Sequence, residues 1–260
     1  MNSNVKQHFR KEELPFVESC DDLANEAINQ YRPILTKFLN PREIYILTTI
    51  VNGYNDLEIT SFGGYRTSEM KRAVIYPEYF SPNYGDFNIV AYQIIYPIKF
   101  SKLKHSKILG TLMGAGIERS TIGDILTDGE IWQFLCTKEI SDYLKMTIDK
   151  IGKIKVSIKQ INFSDIIVPE DEWKDRSLTL SSFRIDNVIA SSFNISRNDA
   201  KTLVSRKRVH LNWTLYDHPD NEISVNDVIS VRRYGRIKLK GQNGETKKGK
   251  KRALVSILRK

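Results

Sequence analysis

The sequence predicts an α/β protein of the α+β kind, laid out in successive regions. These are an N-terminal helix-plus-strand region over residues 1–76, a middle α/β domain over 77–165, and a C-terminal domain over 181–260. Three observations carry this. Helical apolar spacing and short β-branched runs alternate along the chain, with no internal repeat. Acidic sequence around Pro169-Glu170-Asp171-Glu172 marks a linker over 166–180. The charge also changes there: residues 181–260 hold 18 Lys plus Arg against 7 Asp plus Glu, whereas residues 1–180 hold 22 against 24.

In the first region, Asp21-Asp22 can cap a helix with Leu23, Ala27 and Ile28 at helical spacing. Asn40-Pro41 then punctuates the chain. Ile44-Tyr45-Ile46-Leu47 and Leu57-Glu58-Ile59-Thr60 read as strands joined by the loop 52–56, and Ala73-Val74-Ile75-Tyr76 reads as a third after Gly63-Gly64. In the middle region, 87–96 is rich in β-branched and aromatic residues and ends at Pro97, which predicts a strand. A short helix follows over 106–114, with Ile108, Leu109, Leu112 and Met113 on one face, and 131–135 is the next strand. Ser141 can cap a helix carrying Leu144, Ile148 and Ile151 and closed by Gly152, and 153–161 alternates as a last strand. This order resembles the split βαβ sheet of the ferredoxin or RNA-recognition type.

Composition removes several function classes. The chain has 260 residues, a net charge of +9 and a pI near 9.4, and no run approaches the roughly 18 apolar residues of a membrane span. With no apolar signal core at the start, a cytoplasmic location and no membrane partner are expected. Cys20 and Cys136 stand too far apart for a CxxC element and read as free thiols acting as small apolar residues. His8, His105, His210 and His218 show no zinc spacing, so no metal is expected. Gly110-Thr111-Leu112-Met113-Gly114-Ala115-Gly116 lacks the GxGxxG order, and neither GxxxxGK nor GxSxG occurs, so no cofactor is expected either. Asp124 is the one candidate catalytic acid, and a turn role is its plainer reading.

The basic C-terminal third is the informative part. Ser181-Ser182 can cap a helix with Ile185, Val188 and Ile189 on one face; Ser196 can cap a second, with Asp199 three positions on. Ala200, Leu203 and Val204 form the buried face of that second helix, and Arg197 and Lys201 share the exposed one. The helix runs into Arg206-Lys207-Arg208, and 208–213 alternates with Val209, Leu211 and Trp213 inward. Another strand, 228–231, follows the turn at Asn226-Asp227. Five cations within 197–208, with Asp199 the only acid, predict one wall of a phosphate-binding groove. The run at 247–252 reads as a basic tail.

These residues resemble the S4 RNA-binding domain. Its Arg-Leu-Asp start appears as Arg184-Ile185-Asp186, and its Ser-Arg plus small residue as Ser196-Arg197 with Ala200. Its first strand appears as Lys207-Arg208-Val209-His210-Leu211-Asn212, and its late turn as Asn226-Asp227-Val228-Ile229; Lys207 and Asn226 replace two family glycines. Val231-Arg232-Arg233-Tyr234-Gly235-Arg236-Ile237-Lys238 resembles the extension in the bacterial YlmH family. Phe62-Gly63-Gly64-Tyr65, Lys71-Arg72, His105-Ser106-Lys107-Ile108-Leu109-Gly110 and Ile122-Gly123-Asp124-Ile125 are similar to that family's body. The resemblance implies an RNA-recognition-like middle domain and a C-terminal S4 domain of two helices plus a small sheet. It also implies a role with the large ribosomal subunit in quality control of stalled translation.

The expected RNA-binding residues are Arg184, Ser196, Arg197, Lys201, Arg206, Lys207, Arg208, His210, Asn212, Arg232, Arg233, Arg236 and Lys238. Tyr65, Arg66, Lys71, Arg72, Lys104, His105 and Lys107 form a second candidate surface. The expected partners are structured ribosomal RNA, possibly transfer RNA, and the large subunit, met by a monomeric, non-enzymatic protein. The alternative is an RNA-modifying enzyme of the pseudouridine synthase or methyltransferase type, targeted by its S4 domain. A third class is an adaptor whose first two regions hold a protein partner.

Overall fold

The computed structural model describes residues 9–168, 173–247 and 249–259. The chain divides into two compact units, Met1–Pro169 and Glu170–Lys260.

In the first unit, α1 spans Leu14–Gln30 and opens with Pro15 in its first turn. Asp21 and Asp22 therefore lie inside this helix and do not cap it. Its buried stripe, Val17, Cys20, Ala24 and Ala27, recurs at three and four residues. After the short strand β1 (Ile34–Leu35), residues 44–47 fall within a second helix, α2 (Pro41–Val51), and are not a strand. The cause is a complete capping box. Asn40 Oδ1 accepts from the amides of Arg42 (2.9 Å) and Glu43 (3.0 Å), and the Glu43 carboxylate returns to the Asn40 amide at 2.7 Å. Strands β2 (Leu57–Phe62) and β3 (Arg72–Pro77) then form an antiparallel sheet of order β1-β3-β2 on which both helices pack.

The middle region runs β4 (Ile89–Ile95), α3 (His105–Gly114), β5 (Ile122–Thr127), β6 (Trp132–Thr137), α4 (Ser141–Thr147), a small β7 (Lys150–Ile151)–β8 (Ile154–Lys155) hairpin and β9 (Ser157–Ile161). The four-stranded sheet has the order β5-β6-β4-β9, all antiparallel, which is the split βαβ arrangement. One helix ends earlier than the sequence suggests: α4 stops at Thr147, and Ile151 belongs to the hairpin turning at Gly152. Ser141 lies within α4, where its hydroxyl meets the Tyr92 hydroxyl at 2.6 Å in the core. Tyr92, Ile108, Leu112, Phe134 and Leu144 fill the space between helices and sheet.

The opposite face of this sheet is not open. Ala91, Gln133, Leu135 and Thr137 point away from the helices, and each is at most 3% exposed. The Gln133 amide donates to the Asp165 carbonyl (2.9 Å) and accepts from the Ile167 amide (2.7 Å), so the chain after β9 crosses this face. Gly64 also sits against it; a Cβ there would lie 2.1 Å from Leu135 Cδ2. Segments of the N-terminal region and the chain after β9 thus cover the surface that an RNA-recognition sheet would use for stacking bases.

The second unit opens with strand β10 (Lys174–Leu180), so the latter part of the expected linker is sheet; Pro169 to Glu172 lie outside the described residues. A fragment meant to fold alone must therefore begin before Lys174. Helices α5 (Ile185–Phe193) and α6 (Arg197–Ser205) follow, then β11 (Val209–Leu211), β12 (Thr214–Tyr216), β13 (Val228–Val231), β14 (Gly235–Glu245) and β15 (Lys251–Arg259). Their sheet order is β10-β15-β14-β13-β11-β12, antiparallel throughout. The expected basic tail leads into an inner strand, because its last two residues, Lys251 and Arg252, open β15, and Lys248 lies outside the described residues. Ser181 and Ser182 do not cap α5, whose N-cap is Arg184. The strand expected through Trp213 stops at Leu211. Asn212 (φ 48°) and Trp213 (φ 66°) both take left-handed conformations and turn the chain into β12 as a tight hairpin.

Candidate nucleic-acid interface

Ser196 caps α6 as expected: its hydroxyl accepts from the Asp199 amide (3.0 Å) and donates to the Asp199 carboxylate (2.7 Å). That hydroxyl is committed to the helix. Beside it, Asp186 is 2% exposed at the start of α5, gripped by Arg184 through two contacts (3.1 and 3.2 Å) and by Arg197 Nε at 3.2 Å. Burial alone would raise the Asp186 carboxyl, but the hydrogen bonds and charges of the two arginines override it and hold it below its usual range. Arg184 also pairs with Asp220. Two cations here face two acids, so the pair pins α5 to α6 and adds little net field. Arg197 is exposed, as Lys201 is, but its guanidinium is already engaged with the buried Asp186 carboxylate.

The uncompensated charge sits at the other end of α6. Arg206 ends the helix, Lys207 takes φ 56°, and the Lys207 and Arg208 amides return to the carbonyls of Val204 (2.9 Å) and Leu203 (3.0 Å). This is the Schellman closure, with lysine in the position glycine usually fills, at a cost of about 1 kcal/mol. Part of the reward is local, because cations at a helix C-terminus face its negative pole. The Arg208 carbonyl then accepts from the Arg232 amide at 3.0 Å, which lays the β13–β14 turn against this one. Arg206, Lys207, Arg208, Arg232 and Arg233 are all exposed, and Asp217, 3.8 Å from Lys207, is the acid paired among them. Such a double turn offers several guanidinium forks to a phosphate backbone.

The remaining residues divide. His210 is exposed on the sheet face away from the helices, opposite Ser230. Asn212 is structural: its amide donates to Asp227 (2.9 Å) and accepts from the Val228 amide (2.9 Å). Arg236 is half-buried over the rings of Trp213 (5.3 Å) and Trp173 (5.7 Å), and Lys238 is half-buried opposite Ser256. The sequence reading missed both Trp173 and the Asp186 bridge. The Arg184-Ile185-Asp186 spacing was a visible signal for the second.

The second candidate surface changes more. Tyr65 donates to Asp124 at 2.8 Å, and the same carboxylate accepts from the amides of Glu69 (2.8 Å) and Met70 (3.1 Å). Asp124 is a staple between β5 and the loop before β3. Arg72 is 4% exposed and donates to the carbonyls of Thr36 (2.7 Å) and Asn88 (2.9 Å), with Glu139 beyond; burial pulls its pKa down and Glu139 opposes that. Arg72 therefore leaves the candidate surface, while Tyr65 stays half-buried with its hydroxyl bound to Asp124. Arg66 remains exposed, Lys71 is half-buried with its backbone paired to Leu39, and Lys104, His105 and Lys107 are exposed at the start of α3. Cys20 and Cys136 are buried, which pushes both thiols up to about 12, so neither is a nucleophile at neutral pH.

Asp124→Asn tests the staple. An amide nitrogen would confront at least one of three donors, so the change should destabilise the first unit by about 1–3 kcal/mol. Thermal unfolding of the full chain should show an earlier melt, while RNA affinity measured well below that melt stays unchanged. An unaltered melting curve would show that the three hydrogen bonds contribute nothing.

Three family models match in succession. "YlmH, N-terminal" covers residues 12–80, "Putative RNA-binding domain in YlmH" covers 82–165, and "S4 domain" covers 183–229. The chain is 36% identical over 248 residues to the ribosome-associated protein quality control protein P2 of Bacillus subtilis, covering 95% of this chain and 96% of that protein. A 56-residue stretch is 43% identical to the small ribosomal subunit protein uS4 of Shewanella loihica, covering 21% of this chain and 27% of that protein. Among solved structures, the cell division protein ylmH from Streptococcus pneumoniae matches with a TM-score of 0.56 at 36% identity, over 62% of this chain and 98% of that one. Full-length similarity, with the three models in order, places the S4 domain in the setting where the basic double turn was found: the chain belongs to the YlmH family.

Proposed function

We propose that this protein binds structured ribosomal RNA through its S4 domain, on the large ribosomal subunit, and acts in quality control of stalled translation. The observation that carries this reading is the double turn of Arg206, Lys207, Arg208, Arg232 and Arg233, an exposed cluster of cations whose backbone is fixed by hydrogen bonds. The near full-length relative named for ribosome-associated quality control supports the setting, and the large subunit follows from the family resemblance. The similarity to uS4 covers one domain only and supports RNA binding without choosing a subunit. Transfer RNA is a further partner in this reading, and the protein works as a cytoplasmic monomer. Among the described residues, no helix is long and apolar enough to cross a membrane.

The role proposed is binding, not chemistry. Asp124, the single acid considered for catalysis, spends its carboxylate on three hydrogen bonds between segments of the first unit. Crosslinking to purified ribosomes, followed by sequencing of the attached RNA, tests the reading. Peptides containing residues 206–208 and 232–233 should carry large-subunit RNA. Crosslinks confined to small-subunit RNA would overturn the subunit assignment, and their absence at both turns would overturn the interface.

A further inference from the structure

The middle domain has its sheet face covered, yet it presents one segment built unlike the rest of its surface. Between β4 and α3 the chain reads Pro97-Ile98-Lys99-Phe100-Ser101-Lys102-Leu103-Lys104, and α3 continues with His105, Ser106 and Lys107. Residues 97–107 thus hold four lysines and a histidine without an acid. Phe100 is 88% exposed. It is not there by slack: the Phe100 amide donates to the Pro97 carbonyl at 3.0 Å, closing a turn, and Leu103, 7% exposed, anchors the segment in the core. The acids of the β5–β6 turn lie beside Tyr96, whose hydroxyl donates to the Glu130 carbonyl at 2.5 Å. There the Asp128 carboxylate accepts from the amides of Glu130 and Ile131.

A fixed turn that holds a phenyl ring in water among lysines matches what an unpaired nucleotide requires. The ring offers a stacking face to any base, and the flanking ammonium groups neutralise the phosphates on either side. A fully paired helix would use the lysines alone, since its bases are stacked on each other. We infer that the β4–α3 loop is a second RNA contact, in which an unpaired base stacks on Phe100 and its neighbouring phosphates meet Lys99, Lys102, Lys104 and Lys107. This rests on the reading that the chain binds RNA, and it moves the middle domain's contact from the sheet to a loop.

The test uses the full chain with two labelled RNAs of equal length, a hairpin with an unpaired loop and a blunt duplex. Phe100→Ala should weaken hairpin binding about 10-fold and change duplex binding less than about 2-fold, with the salt slope unaltered. Phe100→Trp should restore hairpin affinity. Lys102→Ala with Lys104→Ala should weaken both RNAs and flatten the slope by about 1.5. Arg206→Ala with Arg208→Ala and Arg232→Ala serves as the control for the S4 interface. If that control loses affinity while Phe100→Ala binds the hairpin like wild type, the loop contact is overturned and the S4 reading stands. If neither variant changes RNA binding, both fall. If Phe100→Ala keeps hairpin affinity and instead loses binding to vesicles of phosphatidylserine and phosphatidylcholine, the loop is a membrane contact and the proposal is overturned.

Discussion

Replacing Arg206, Arg208 and Arg232 together with Ala is expected to weaken binding to structured RNA about 50- to 170-fold at about 0.15 M salt. Each phosphate contact contributes roughly 0.7 to 0.9 to the slope of log affinity against log salt, so three lost contacts flatten it by about 2.1 to 2.7. Extrapolating the same relation from about 1 M salt, where counterion release vanishes, gives the affinity figure. Folding should survive, because all three side chains are exposed. The loss at the α6 C-terminus should stay within about 1 kcal/mol per residue. Replacing Arg184 and Arg197 should behave in the opposite way. Their charges are already met by Asp186 and Asp220, so the slope should move less, while Asp186 is left buried without its partners at a cost of about 3 kcal/mol. Salt titrations of both variants, each paired with a thermal melt, decide the matter. A slope change in Arg184/Arg197 equal to that of the triple variant would place the phosphates at the other end of α6.

That contrast also shows how much of the site was legible. The cations themselves were readable, because composition and spacing survive without a structure. Their partners were not. Asp220 reaches Arg184 across 36 residues of chain, and the Arg232 amide reaches the Arg208 carbonyl across 24; neither approach leaves a local signature. Ser196 and Asn212 are named by the sequence as RNA-binding residues, whereas their polar atoms serve the cap and the turn. Arg72 misled for a related reason. A lysine-arginine pair on a strand looks exposed, yet β3 is the central strand of its sheet, and alternate residues must point inward.

The fold was readable where one element decides its own conformation. The two S4 helices, the strands near 57, 73 and 89, and the helix at 105–114 lie where periodicity put them. At 44–47 the four-residue run Ile-Tyr-Ile-Leu outvoted Asn40-Pro41-Arg42-Glu43, although cap, proline and returning glutamate together specify a helix start. Strand β10 failed for a different reason. Lys174-Asp175-Arg176-Ser177-Leu178-Thr179-Leu180 is an edge strand with little apolar alternation, and its pairing partner β15 begins 71 residues later. Only closure of the whole sheet makes it a strand. The same closure turns the basic run near 251 from an apparent tail into the start of an inner strand.

Gly235→Ala is expected to unfold much of the second unit. Gly235 has φ 130°, a region side-chain-bearing residues rarely enter, and it pairs with Val231 on one side and Arg259 on the other. A Cβ there would stand 2.0 Å from the Leu258 carbonyl oxygen and 3.0 Å from Arg259 Cα. Both atoms are backbone of β15, so no rotamer change relieves the contact, and β14 and β15 must part at this end. Those strands carry Ile237, Leu239, Val255 and Ile257, all at most 2% exposed, and β15 in turn holds β10 in the sheet. Strain of about 1–3 kcal/mol adds to a clash that separates a core, so the loss should exceed about 4 kcal/mol. Function should fall with it, because the turn bearing Arg232 and Arg233 is closed by the Tyr234 amide on Val231 just before this glycine. Amide exchange offers the most local reading: protection should vanish across β10, β14 and β15 while the strands of the first unit keep theirs. A variant whose β14 and β15 amides exchange as slowly as wild type would mean that the turn can be rebuilt around a methyl group, and that the glycine is there for something other than close packing.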